Sequence, residues 1–219
     1  MKICFLIRRL GFGGAERQLL NLANGLQSRG YEVEIITFYP GGELVVDLQD
    51  TGIELTHLKK SGRWDLLGFL WRLVRALRLS KPDVIFSFST AANLFGFFAS
   101  LLMKRRPVVI WRIATSIIDY KNYDWTARYL YKIECRLSRH VPYVISNSEA
   151  GRKHAIENGF AAPTITCIPN GIEVEVPNLT AAERQKIRDS MHCQTDNFLV
   201  ALVGRIDPMK GHRDFIEAA

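Results

Sequence analysis

Lys2-Ile3-Cys4-Phe5-Leu6-Ile7, then Arg8-Arg9-Leu10-Gly11-Phe12-Gly13-Gly14, then Ala15-Glu16-Arg17 at the head of a polar–apolar run to Arg29, reads as strand, glycine-rich turn and helix. The apolar strand suits burial in a parallel sheet. Glycines in the turn let the backbone approach a ligand closely, and a helix N-terminus favours an anion. The alternative is a tight strand-to-helix turn that holds nothing.

The same alternation continues outward from this unit. Strands are predicted at Lys2 to Ile7, Glu32 to Phe38, Ile53 to Leu58, Asp83 to Phe88, Val108 to Arg112, Tyr143 to Asn147 and Thr164 to Ile168. Helices are predicted at Ala15 to Arg29, Gly42 to Asp50, Trp64 to Leu79, Ala92 to Met103, Tyr123 to Ser138 and Ser148 to Asn158. Gly30, Gly52 and Gly159 follow helices where a left-handed C-cap residue is useful. Continuous apolar strands such as Val84-Ile85-Phe86 and Val108-Val109-Ile110 fit burial on both faces. The expected fold is α/β, a Rossmann-like parallel sheet with helices on both faces.

The rhythm breaks at Pro169 to Pro177, read as an interdomain connection. Residues 1–170 form the Rossmann-like domain, 171–197 a linker with a helix from Ala181 to Met191, and 198–219 the start of a second α/β unit. Thr180 and Glu183 make a capping box for that helix. A strand from Phe198 to Val203 then delivers Arg205 and Lys210 to a loop with Gly204 and Gly211. Two cations at a glycine-bearing turn suit a diphosphate, although such a pair also reads as solvated charges. A lone strand and a helix stub make no second core, so the sequence is expected to be part of a longer chain.

The 219 residues carry a net charge of +7, which favours phosphates, nucleic acid or anionic lipid without choosing among them. Cys4, Cys135, Cys167 and Cys193 show no C-x-x-C spacing, so neither zinc nor a disulfide framework is indicated. The apolar N-terminus meets Arg8-Arg9 too early for a secretory signal, and no run reaches the ~18 apolar residues of a membrane span. A cytoplasmic protein is expected. A dinucleotide fingerprint would need glycine or alanine at position 16. Glu16 opposes a pyrophosphate there and counts against an NAD-dependent oxidoreductase.

Four segments carry a resemblance: Gly13-Gly14-Ala15-Glu16-Arg17, Ser146-Asn147-Ser148-Glu149, Ile168-Pro169-Asn170-Gly171-Ile172, and Val203 to His212. In that order and separation they resemble family four of the nucleotide-sugar glycosyltransferases, also called glycosyltransferase group one, retaining enzymes of the GT-B fold. The resemblance implies two Rossmann-like halves, the N-terminal one holding the acceptor and the C-terminal one the nucleotide sugar. It implies that Arg205 and Lys210 bind the donor diphosphate, with Gly13 and Gly14 facing the same phosphates. Glu16 and Arg17 are candidates on the acceptor side, with helix capping and loop anchoring as the alternative. No metal or other cofactor is implied, since two cations and helix N–H groups can stabilise the leaving diphosphate. No catalytic residue is assigned.

The pattern is departed from twice. A histidine common near the fifth strand is replaced by Arg112, which implies an acceptor carrying phosphate or else an ion pair with Asp119 or Glu134. The family's E-x7-E segment would lie beyond residue 219, so the chain alone is expected to be inactive or, alternatively, a noncatalytic binding module. The partners implied are a nucleotide sugar and a saccharide or lipid-linked acceptor of polysaccharide or lipopolysaccharide synthesis, not nucleic acid. Arg63, Arg72, Arg75 and Arg78 beside Trp64, Leu67, Trp71 and Val74 give a basic amphipathic pattern. It reads either as a helix covering the sheet or as peripheral contact with an anionic membrane.

Overall fold

The computed structural model describes residues 1–113, 125–172, 178–194, 197–204, 206 and 210–219. The chain divides into two units, Met1–Ile172 and Glu173–Ala219.

In the first unit the strands are β1 (Lys2–Ile7), β2 (Glu32–Thr37), β3 (Glu54–His57), β4 (Val84–Phe88), β5 (Val108–Ile113), β6 (Tyr143–Ser146) and β7 (Ile165–Cys167). They pair in parallel throughout, in the order β3-β2-β1-β4-β5-β6-β7. The helices are α1 (Gly14–Gln27), α2 (Leu67–Ser80), α3 (Thr90–Leu101), α4 (Trp125–Leu137) and α5 (Glu149–Glu157). Parallel neighbours need crossovers, and these helices supply all of them but the one from β2 to β3, which runs through the 3-10 helix Glu43–Leu48. The chain steps outward one way from β1 to β3 and the other way from β4 to β7, so the order reverses between β1 and β4.

Side-chain alternation divides the core. Ile3, Phe5 and Ile7 of β1, with Val33, Ile35, Phe86 and Phe88, pack under Leu19, Leu20 and Ala23 of α1 and under Leu44 and Leu48. The opposite side chains, Cys4, Leu6, Ile36 and Ile85, meet Phe69, Leu73, Val74 and Leu77 of α2 and Ala92 and Ala99 of α3. Farther along, Val109, Trp111, Val144 and Ile165 pack with Phe97, Tyr131, Cys135 and Ala155. Each large apolar side chain taken fully from water in this way contributes ~1.5–3 kcal/mol. The four cysteines are free, Cys4 and Cys135 buried and the other two half-buried.

The structure differs from the sequence reading in three places. Residues Glu43–Leu48 form a 3-10 helix instead of an α-helix, because Val45, Val46 and Asp47 are poor helix formers and Gly42 fixes an abrupt entry. Helix α2 buries Phe69, Leu73, Val74 and Leu77, while Trp64, Leu67 and Trp71 stand in solvent. Its sequence offers two apolar stripes, and the Phe69 stripe wins by packing on Phe38 and Phe95, at ring centroid distances of 4.4 and 4.8 Å. Third, residues 198–203 form no strand. Phe198 and Val203 are 94% and 96% exposed, and without a neighbouring ladder an apolar run has nothing to pair with.

The second unit contains α6 (Ala181–Ser190) and α7 (His212–Ala218). The capping box of α6 is formed: Glu183 N–H donates to Thr180 Oγ1 at 3.3 Å, and Thr180 N–H donates to Glu183 Oε2 at 2.8 Å. Neither helix has a buried residue.

Candidate functional site

Open parallel sheets bind ligands beyond the carboxyl ends of their strands, at the point where strand order reverses. Here that point lies between β1 and β4, and a cavity of about 320 Å³ opens beside it, lined among others by Arg8, Glu16, Ser89, Thr90, Arg112 and Glu134. The volume falls within the ~300–1,000 Å³ range of small-molecule sites.

The turn after β1 forms one wall. Its shape is set from below by Gly42, where a Cβ would stand 2.1 Å from the Leu10 carbonyl oxygen and where φ is +126°. Leu44 N–H donates to the same carbonyl at 3.0 Å. Gly13 precedes α1 as its N-cap, and the Glu16 carboxylate folds back over it, into the space that a Cβ there would fill. Gly14 is exposed, and a Cβ there would meet nothing within 4 Å. The fold therefore has no steric need of glycine at position 14. Arg17 is exposed on α1 and is not among the residues lining the cavity.

Ser89 follows β4 with φ +124° and ψ 154°, backbone angles almost confined to glycine. Its hydroxyl accepts from Ala92 N–H at 3.4 Å and so caps α3, which points its N-terminus at the cavity. Ser148 does the same for α5, accepting from Gly151 N–H at 3.1 Å. The N-termini of α1, α3 and α5 thus face the cavity through Ala15, Thr90 and Gly151.

Arg112 ends β5. It is 8% exposed, its guanidinium lies 4.8 Å from the Phe88 ring centroid, and Nη2 donates to Asn170 Oδ1. Asp119 lies outside the described residues. Among those described, no carboxylate pairs with Arg112, so the expected Glu134 ion pair is not formed. Burial alone lowers its pKa. Asn170 belongs to the segment leaving β7, which is also held to α1 by Gln18 Nε2 donating to the Gly171 carbonyl at 2.6 Å.

Glu134 of α4 is 2% exposed and accepts from Asn93 Nδ2 at 2.5 Å. The same amide nitrogen donates to the Arg112 carbonyl at 3.3 Å. Burial pushes the Glu134 carboxyl up to about 7, against the opposing hydrogen bonds from Asn93 and Thr90. Among the described residues the cavity therefore presents a buried cation, Arg112, beside a carboxyl, Glu134, that loses its charge near neutrality.

The structure thus gathers Glu16 and Arg112 around one cavity, with Gly13 and Gly14 in the adjoining turn. Arg205 lies outside the described residues. Lys210 belongs to the second unit, where its Cγ lies 3.6 Å from where a Gly204 Cβ would stand. Ser89 and Asn93 were missed by sequence reasoning, and Glu134 was read only as a possible ion-pair partner of Arg112. The Ser89-Thr90 pair before an apolar helix is a readable N-cap signal, whereas the Asn93–Glu134 contact joins two helices and has no local signature. Among the described residues no three His, Cys, Asp or Glu side chains converge as metal ligands would.

Residues 12–176 match the sequence profile of Glycosyltransferase Family 4. A curated relative from Campylobacter jejuni subsp. jejuni serotype O:2 is named GalNAc-alpha-(1->4)-GalNAc-alpha-(1->3)-diNAcBac-PP-undecaprenol alpha-1,4-N-acetyl-D-galactosaminyltransferase. It is 34% identical over 118 residues, covering 50% of this chain and 32% of that protein. The alpha-monoglucosyldiacylglycerol synthase of Acholeplasma laidlawii is 24% identical over 229 residues, 94% of this chain and 55% of that one. Among solved structures, Anabaena Alr3699/HepE in complex with UDP and glucose superposes with a TM-score of 0.80 at 22% identity, covering 100% of this chain and 57% of that one. Sucrose-phosphate synthase from Thermosynechococcus elongatus gives 0.74 at 15%, covering 100% and 59%. These two likenesses establish the fold.

Proposed function

The chain belongs to glycosyltransferase family 4, and from that premise we propose that it forms the acceptor side of an enzyme that transfers a sugar from a nucleotide-sugar donor, with retention, to a saccharide or lipid-linked acceptor. The observation that carries this reading is the cavity at the strand-order reversal, where Arg112, Glu134 and three helix N-termini meet. The chain spans about a third of the Campylobacter relative and about half of the Acholeplasma one.

In this reading the donor diphosphate lies against the exposed turn at Gly13 and Gly14, where open space at Gly14 leaves the backbone approachable. Arg205 and Lys210 neutralise charge that develops on the departing nucleotide, with no divalent metal required. Arg112 serves the acceptor. Among the described residues the buried guanidinium is held by an aromatic face and a neutral amide; a buried cation without a counter-charge is costly, and a phosphate on the acceptor would supply one. The names of the two curated relatives contain a PP-undecaprenol-linked saccharide and, as the compound synthesised, alpha-monoglucosyldiacylglycerol. Such an acceptor would place this protein in the cytoplasm, peripherally at a membrane.

Calorimetric titration of the enzyme carrying this chain with UDP, GDP and their sugars tests the reading, and a failure to bind any nucleoside diphosphate would refute it. Arg205→Ala and Lys210→Ala should each slow transfer by ~2–4 kcal/mol of lost transition-state stabilisation. Arg112→Gln should raise the acceptor KM and leave the donor KM unchanged. NMR of the product anomer checks retention.

A further inference from the structure

Residues 63–106 contain eight of the chain's Lys and Arg side chains and only two carboxylates, Asp65 and Asp83. Six of the seven net positive charges of the protein therefore reside in this one segment. Asp65 is taken up by Arg72, and Asp83 by Arg105 at 2.8 Å. Neither α2 nor α3 contains an acidic residue.

The same segment carries several strongly exposed apolar side chains. Trp64, Leu67 and Trp71 are 77%, 83% and 63% exposed. On α2, positions 67, 71, 75 and 78 fall on one stripe opposite the buried Phe69, Leu73 and Leu77, so Leu67 and Trp71 are followed along it by Arg75 and Arg78. Arg75 lies 5.6 Å from the Trp71 ring centroid, which keeps its charge beside the indole. Helix α3 lies against α2 on the same side of the sheet, with Arg78 donating to the Leu102 carbonyl at 2.8 Å. It turns Phe98 and Leu101 outward, and Leu102, Lys104 and Arg106 follow, all exposed.

From this charge complementarity we infer that the outer face of α2 and α3 docks on a bilayer containing anionic lipid. Tryptophan and leucine enter the headgroup boundary while arginine and lysine meet lipid phosphates. Soluble polyanions would satisfy the basic side chains but leave Trp64, Leu67 and Trp71 in water. No described helix is long and apolar enough to cross a membrane, so the contact is peripheral. The inference deepens the membrane placement proposed above by naming the surface and the lipid charge.

Cosedimentation of the 219-residue chain with phosphatidylcholine vesicles, and with phosphatidylcholine vesicles containing phosphatidylglycerol, tests it without measuring sugar transfer. Failure here leaves the family and its activity untouched. The anionic vesicles should capture the chain at least about tenfold more strongly, less so as salt rises, and should shift tryptophan emission to the blue. The triple variant Trp64→Ser/Leu67→Ser/Trp71→Ser should lose about tenfold in binding and most of the blue shift. Arg75→Gln/Lys104→Gln/Arg106→Gln should lose binding to anionic vesicles while keeping both tryptophans and its circular dichroism. Equal capture by both vesicle types, or wild-type binding by both variants, overturns the proposal. So does a wild-type dimer in sedimentation velocity that the triple variant abolishes, because a second copy would then be what covers this face.

Discussion

Glu134 shows what burial does to a single group. In the unfolded chain its carboxyl has the ordinary value of 4.5, and in the fold it stands at about 7. Below pH 4.5 both states hold the proton and the group does not affect stability. Between the two values the unfolded state releases its proton first, so stability falls as pH rises. Above pH 7 the loss is complete, ~3 kcal/mol for a difference of this size. Cys135, pushed up to about 12 by burial beside Glu134, stays neutral across that window. Glu134→Gln keeps an oxygen for Asn93 Nδ2 and cannot ionise. Urea unfolding of both proteins at pH 5 and pH 8 should show the variant gaining stability relative to wild type by ~2–3 kcal/mol between the two. An equal difference at both pH values would mean that Glu134 does not titrate there. Ser89 makes a second case at this scale. Its backbone strain is worth ~1–3 kcal/mol, while its cap is replaced by glycine at a cost of a few tenths, ~0.3 kcal/mol. Ser89→Gly should therefore raise the denaturation midpoint, and a lowered midpoint would show the +124° conformation to be unstrained.

At the scale of the element, the turn after β1 depends on a residue thirty positions away. Gly42 combines φ +126° with a Cβ position 2.1 Å from a backbone carbonyl that cannot move without shifting Leu10 and Gly11. Gly42→Ala should cost ~2–4 kcal/mol in chemical denaturation and broaden the amide NMR signals of Gly11 to Gly14. A loss confined to stability, with those signals unmoved, would separate the turn from its support. This coupling could not be read from sequence, since Gly41-Gly42 looks like any loop. The strands could be read, because Phe5-Leu6-Ile7 and Val108-Val109-Ile110 are apolar on both sides, the first closed by Arg8-Arg9 and the second opened by Pro107. Gly13 and Gly14 were readable as site candidates because they stand in the turn just beyond β1, whereas Glu16, Arg17 and Arg112, the last inside β5, were reached through the family resemblance. The buried stripe of α2 was not, because Trp64, Leu67 and Trp71 are as apolar as Phe69, Leu73 and Leu77. Only packing on Phe38 and Phe95 decides between them.

At the scale of the whole molecule, the two units differ in what holds them. The first buries three apolar clusters against one sheet. In the second, α6 and α7 bury nothing, and Phe198, Val203 and Ile206 are each more than 90% exposed. Helices of ten and seven residues are marginal in water without a packed face, and a surface salt bridge such as Arg213 to Glu217 contributes only ~0.3–0.5 kcal/mol. Hydrogen exchange should therefore find the amides of β1, β4 and β5 protected by the full unfolding free energy and those of α6 and α7 open within the dead time. Deleting residues 173–219 should leave the melting temperature of the sheet within about 2 °C, since α6 and α7 bury no side chain of their own. If the shortened chain melted much lower, residues 173–219 would be contributing to the sheet's stability through contacts beyond the burial of their own side chains. The proposed membrane face, which lies wholly within 63–106, should survive the deletion intact.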